Sequence, residues 1–97
     1  LAPLLEEHIT SIVSERQRLG AELERHGSLH CFPSYSNFLL LRYSGEAQEL
    51  CGALLERQIA VRQFPHGEPR LRNCIRITIG TPEENQRLIQ ALGDILG

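Results

Sequence analysis

The stretch Asn73-Cys74-Ile75-Arg76-Ile77-Thr78-Ile79-Gly80-Thr81-Pro82-Glu83-Glu84 reads as an apolar strand running directly into a helix, and the rest of the chain is organised around it. Residues 74–80 form the strand. Thr81-Pro82-Glu83-Glu84 then starts the helix, with threonine as cap, proline in the first turn and a glutamate three positions after the threonine. One residue in the strand is out of place. Arg76, flanked by Ile75 and Ile77, can sit there only if its guanidinium reaches a carboxylate, a phosphate or open solvent.

Working outward, Leu88, Ile89, Leu92, Ile95 and Leu96 line one face of the final helix. Before the strand, Pro65, Gly67 and Pro69 impose an irregular loop, and Ile59-Ala60-Val61-Arg62-Gln63-Phe64 reads as another strand. Upstream, Ser44 caps a short helix that runs to Gln58, with Glu46 and Glu49 near its amino end and Leu50, Cys51, Leu54 and Leu55 as the buried stripe. Asn37-Phe38-Leu39-Leu40-Leu41-Arg42 is too short and too continuously apolar for a surface helix, and predicts a strand covered on both faces. A short extended piece spans residues 28–32. From Pro3 to about Arg25, apolar residues Leu5, Ile9, Ile12, Val13, Leu19 and Leu23 recur at three- and four-residue steps, predicting a long helix closed by His26 and a left-handed Gly27. The order α-β-α-β-β-α implies an α+β domain over residues 1–97, a small and mostly antiparallel sheet with helices packed on one face. Its other face is left free to dock elsewhere.

Composition narrows the function classes. The 97 residues, 41% hydrophobic and 23% charged, suit one modest core. Net charge −2 and a pI near 6.1 argue against a nucleic-acid-binding domain, and no apolar run approaches membrane-spanning length. Three scattered cysteines, Cys31, Cys51 and Cys74, without a Cys-x-x-Cys pair, suit free thiols in a reducing compartment, so the cytoplasm is expected. The start Leu1-Ala2-Pro3 carries neither a basic leader nor a methionine and reads as the interior of a longer polypeptide. There is no lysine, so no residue here can form an imine with a carbonyl substrate or with pyridoxal phosphate.

Arg62 and Arg76 are the leading site candidates, because each lies in a strand with apolar neighbours. If those strands are adjacent, the two guanidinium groups can grip one carboxylate or phosphate. The competing reading pairs them with Glu68, Glu83 or Glu84, or leaves them in solvent. Arg70 and Arg72 read as solvated loop charges. His30 beside Cys31 invites a metal reading, but a tetrahedral site needs three or four ligands, and His8, His26 and His66 fall in unrelated segments. Tyr35, Phe38, Tyr43 and Phe64 suit core or lining roles better than base stacking.

Three stretches together resemble one family: Pro33-Ser34-Tyr35-Ser36-Asn37-Phe38-Leu39-Leu40, then Ile59 to Phe64, then Asn73 to Asn85. In that order they are similar to the C-terminal small domain of the histidinol-phosphate aminotransferases, fold-type I pyridoxal-phosphate enzymes. The resemblance implies that Arg76 grips the anionic end of the substrate, that Arg62 helps hold a phosphate, and that Asn37 occupies a motif position near the active site. It places the cofactor, the imine-forming lysine and the aspartate facing the pyridine nitrogen in a large domain of the same polypeptide. It further implies a phosphorylated amino-acid-like substrate, a 2-oxo acid as co-substrate, a homodimeric parent and a role in histidine biosynthesis. Threonine-phosphate decarboxylases share the two arginines and the Asn-aromatic strand, so that substrate stays open. From a different class, a free-standing regulatory module that senses an anion without chemistry would carry the same arginines.

Overall fold

The computed structural model describes residues 2–34, 36–64 and 69–97, with side chains from residue 12 onward. Expectations that rest on the side chains of Leu5, His8 and Ile9, on Tyr35, or on loop positions 65–68 with His66 and Glu68 lie outside the described residues. The chain runs α1 (Ala2–Glu24), β1 (Leu29–Cys31), β2 (Phe38–Tyr43), α2 (Ala47–Glu56), β3 (Arg62–Gln63), a single 3₁₀ turn (Pro69–Leu71), β4 (Cys74–Thr78) and α3 (Pro82–Leu96). The strands form one sheet in the order β1-β2-β4-β3, and every neighbouring pair is antiparallel.

Strand side chains alternate between the two faces, so the burial pattern assigns the faces. Leu29, Leu39, Leu41, Ile75 and Ile77 form one cluster with Leu19 and Leu23 of α1, Leu50 and Leu54 of α2, and Leu88, Ala91 and Leu92 of α3. All three helices therefore cover the same face, as the α+β reading expects. On the other face Phe38 and Arg42 are exposed and Leu40 and Arg76 are half-buried. This corrects the expectation that the run through residues 37–42 is covered on both sides: its continuous apolarity overstates its burial, because no described helix crosses the second face. Cys74, of the outer parity, is nevertheless buried and stands outside the core cluster.

The start of α3 follows its sequence signature. Thr81 Oγ1 accepts from the Glu84 N–H at 3.2 Å, the Glu84 carboxylate accepts from the Thr81 N–H at 2.9 Å, and Pro82 stands in the first turn. The Thr81 N–H and hydroxyl hold the Glu84 carboxyl below its ordinary range. A Cβ on Gly80 would come 2.7 Å from the capping oxygen of Glu84, so glycine there leaves room for the capping box.

Other boundaries differ from expectation for local reasons. Helix α2 is capped by Glu46 rather than Ser44, and no side chain of its own segment bonds its end; Asn73 Oδ1 instead accepts from the Ala47 N–H at 3.3 Å. Leu55 is 64% exposed and leaves the predicted buried stripe. Gly27 is not left-handed; α1 ends through turn bonds from Arg25 to Glu22 and from His26 to Leu23. The strand expected over residues 59–64 pairs only at Arg62 and Gln63, since residue 59 still belongs to the exit from α2. There Gln58 takes a left-handed φ of 64°, its N–H reaching Leu55 O and the Ile59 N–H reaching Leu54 O, both at 2.9 Å. That is a Schellman ending with glutamine where glycine is usual.

A polar knot ties the helices to the end of β4. Glu15, 8% exposed, accepts from Nε and Nη2 of Arg18 and from Asn85 Nδ2 at 3.0 Å. Asn85, 2% exposed, also accepts from Gly80 N–H at 2.9 Å and donates to Gly80 O at 3.2 Å. The bond from Arg18, aided by Asn85, lowers the Glu15 carboxyl from 4.5 to about 2, with burial opposing.

Two measurements check this description. Glu15 titrates lower in the folded state than unfolded, so its contribution is full above about pH 4.5 and disappears as pH falls through about 2. Urea midpoints should drop across that window, and Glu15→Gln should flatten the drop; an unchanged acid profile in the variant would sink the assignment. Gln58→Gly should raise stability by up to about 1 kcal/mol, left-handed strain of about 1–2 kcal/mol being relieved against the larger unfolded-state entropy of glycine. A thermal midpoint below that of the parent chain would contradict the Schellman geometry.

Candidate anion site on the open sheet face

Arg62 and Arg76 are directly opposed across the β3–β4 ladder. Residues facing one another in an antiparallel pair share a face and hold their Cβ atoms about 4.5–5.5 Å apart. The condition set by the sequence reading, that the two strands be adjacent, is therefore met in the backbone. Leu40 is the partner of Arg76 on its other side, in β2, so Leu40, Arg76 and Arg62 form one row across the open face.

Five other arginines of the chain are partnered. Arg16, Arg18, Arg25, Arg42 and Arg57 each donate to a carbonyl, a carboxylate or an amide oxygen. Among the described residues the side chains of Arg62 and Arg76 form no hydrogen bond or ion pair, and Arg76 Nε is buried with no acceptor. Glu84, one of the acids named in the competing reading, is occupied by the capping box. Arg76 does have one neighbour: its guanidinium carbon lies 5.2 Å from the centroid of the Phe38 ring. Like charges directly opposed in a sheet are destabilising, so this arrangement favours an anion seated between them.

Asn37 stands exposed at the entry to β2, and its carbonyl accepts from the Ile79 N–H at 2.8 Å, just past the end of β4. Its side chain has no hydrogen bond among the described residues, so what the structure shows of Asn37 is a backbone tie beside the arginine strand. Phe38, the next residue, was assigned only a core or lining role by the sequence; its apolar character gave no hint that it would sit beneath Arg76. Arg42, on the same face, donates to the Arg70 carbonyl and lies 5.4 Å from the Phe32 ring. With Arg70, Arg72, Pro69, Tyr43 and Asn73 it borders a shallow recess of about 500 Å³.

Two further depressions, of about 340 Å³ beside α3 and about 310 Å³ beside α1, also lie away from the Arg62–Arg76 row. None of these three recesses is lined by Arg62 or Arg76. The cysteines offer no alternative chemistry there: all three are free, and burial pushes the Cys31 and Cys51 thiols up, Glu24 adding to the effect at Cys31.

The chain matches the family model described as aminotransferase class I and II over residues 2–92. A histidinol-phosphate aminotransferase of Aquifex aeolicus is 39% identical over 88 residues, 91% of this chain and 25% of that protein. Among solved structures, histidinol-phosphate aminotransferase from Sinorhizobium meliloti in complex with pyridoxal-5'-phosphate superposes with a TM-score of 0.86 at 27% identity, covering 98% of this chain and 26% of the other. L-threonine-O-3-phosphate decarboxylase from Porphyromonas gingivalis follows with a TM-score of 0.75 at 29% identity, over 90% and 26%. The chain spans about a quarter of the length of the curated relatives it matches. With the family model covering nearly all its residues and a fold-type I neighbour overlaying almost its whole length, the chain belongs to the class I and II aminotransferases.

Proposed function

We propose that this chain is the C-terminal small domain of a pyridoxal-phosphate-dependent aminotransferase acting on histidinol phosphate and 2-oxoglutarate, and that Arg76 and Arg62, with Asn37 beside them, bind the anionic substrate. The observation that carries this reading is the cross-strand opposition of two arginines with no acid paired to either among the described residues. A planar guanidinium grips a carboxylate or phosphate through two parallel hydrogen bonds, and the second guanidinium adds charge and fixes the orientation. The names of the relatives support the choice of substrate.

Pyridoxal phosphate supplies electron withdrawal from a substrate amine through an imine to a lysine. This chain has no lysine, so its own residues do not fit that cofactor, and the cofactor belongs with a large domain of the same polypeptide. What the chain contributes is selection and placement: the arginines hold the anionic end so that the amine points toward the cofactor domain, and closure of the open sheet face over it excludes water. The parent is read as a cytoplasmic homodimer, the free cysteines being consistent with a reducing compartment.

A second reading, decarboxylation of threonine phosphate, is favoured by the likeness to the Porphyromonas gingivalis enzyme. The same clamp would serve it, since both substrates carry a phosphate. Supplying the full-length enzyme with each phosphorylated amine separates the two: transfer of the amino group to 2-oxoglutarate supports the first reading, and carbon dioxide release the second.

In the full-length enzyme, Arg76→Ala should lower kcat/KM roughly tenfold to a hundredfold, equivalent to 1.5–3 kcal/mol for a charge-assisted bond, while the thermal midpoint barely moves. Arg76→Lys should not restore it, because a point charge lacks the planar fork. Unaltered kinetics in Arg76→Ala would remove the arginine from substrate binding. The 97-residue chain alone, mixed with pyridoxal phosphate and borohydride, should show no reduced cofactor adduct beyond that of its amino terminus. A side-chain adduct found by peptide mapping would overturn the division of labour.

A further inference from the structure

Phe38 is 36% exposed on a sheet face that no described helix covers. Its partner in the β2–β4 ladder is Thr78, and Arg76 faces Leu40 two residues further along, so Phe38 and Arg76 are diagonal neighbours on one face. Diagonal residues lie about 7–8 Å apart, a span that an aromatic ring and a long side chain bridge. They do so here, with the guanidinium carbon 5.2 Å from the ring centroid, inside the range of a cation–π contact.

The ring answers a specific problem. Arg76 Nε is buried without an oxygen acceptor, the one side-chain polar atom in that condition among the described residues. An aromatic face is a weak acceptor for N–H and an attractive surface for the delocalised cation, so it offsets part of that burial without neutralising the charge. A carboxylate in the same place would satisfy Nε and also occupy the binding group. Arg62 differs: it is exposed and touches no ring among the described residues. The two arginines are therefore unequal, one braced and one unbraced.

We propose that Phe38 is a positioning residue for Arg76, holding its guanidinium so that the two terminal nitrogens point away from the sheet toward the anion while Arg62 closes on the ligand from across the ladder. This rests on the anion-binding reading above and adds to it an order of assembly: Arg76 sets the orientation of the carboxylate or phosphate, and Arg62 follows.

The test uses the full-length enzyme, with inorganic phosphate as probe for binding and the phosphorylated amines for kinetics. In the nitrogen-15 spectrum of the unliganded enzyme, the Arg76 Nε–H proton should be displaced upfield by the ring relative to that of Arg62, and should lose the displacement in Phe38→Leu and keep it in Phe38→Tyr. An Arg76 signal with ordinary shift in the parent enzyme would overturn the proposal without any variant having to fold. Phosphate affinity should fall about threefold to thirtyfold in Phe38→Leu and stay within about twofold in Phe38→Tyr. In the full-length enzyme the loss should fall on KM more than on kcat.

Equal losses in the leucine and tyrosine variants, or none in either, would refute the positioning role. If the full-length enzyme turns over neither phosphorylated amine while phosphate binding still depends on the ring, the substrate reading fails and the positioning role stands. If it turns over substrate identically with leucine at this position, the positioning role alone fails.

Discussion

Two guanidinium groups opposed across an antiparallel ladder repel each other, and that repulsion is the constraint around which this structure is arranged. Evolution could relieve it cheaply with one glutamate on a neighbouring strand, yet none of the four strands contains an acidic residue. A pair that is tolerated without internal neutralisation is a pair left available for an external anion. The hydrophobic core makes this affordable, since β4, which carries Arg76 outward, carries Ile75 and Ile77 inward beside Leu39 and Leu41 of β2, against all three helices.

The strand that bears Arg76 is fixed at both ends by asparagines. At its start Asn73, left-handed at a φ of 57°, gives its carbonyl to the Tyr43 N–H at 2.8 Å and its side-chain oxygen to the first N–H of α2. Just past its end Gly80 is held by Asn85 through two bonds, and Asn85 is held in turn by Glu15 of α1. Arg76 thus sits midway along a segment tied to α2 on one side and to α1 and α3 on the other. A short strand anchored in this way keeps a long side chain's root in place, which a site that must present a guanidinium in one orientation requires.

What was legible in the sequence follows from how local the determining interactions are. Thr81, Pro82 and Glu84 specify the start of α3 within four residues, and the structure follows them. The Asn73 contact to α2 spans 26 residues, so no local pattern shows that the helix is capped at Glu46 rather than at Ser44. Glu15 and Asn85 lie on the apolar stripes of their helices, in step with Leu19 and with Leu88 and Leu92; that spacing was the available sign that two polar residues are buried together. The arginines were legible because a charge between isoleucines is anomalous in any context. Phe38 was not, because an apolar residue in an apolar run is the expected occupant, and only the register shows that it meets Arg76.

Net charge is a poor guide to this surface. Twelve acids outnumber ten arginines, and that balance argued against polyanionic partners for the molecule as a whole. Among the described residues, however, the acids belong to the helices and the cap of α2, while the outer face of the sheet carries Arg42, Arg62 and Arg76 with no carboxylate among its strand residues. At physiological salt the Debye length is about 8 Å, so charges on the far side of the helical layer are largely screened from that face, whereas neighbours in the same ladder are not. An approaching anion therefore meets a positive field on a negatively charged molecule. A small anion, able to come within a few ångströms of the row from Leu40 to Arg62, benefits from that local field; a long polyanion that extends beyond the sheet also meets the acidic helices. On the proposed reading, the distribution rather than the total favours a compact ligand such as a single phosphate or carboxylate group.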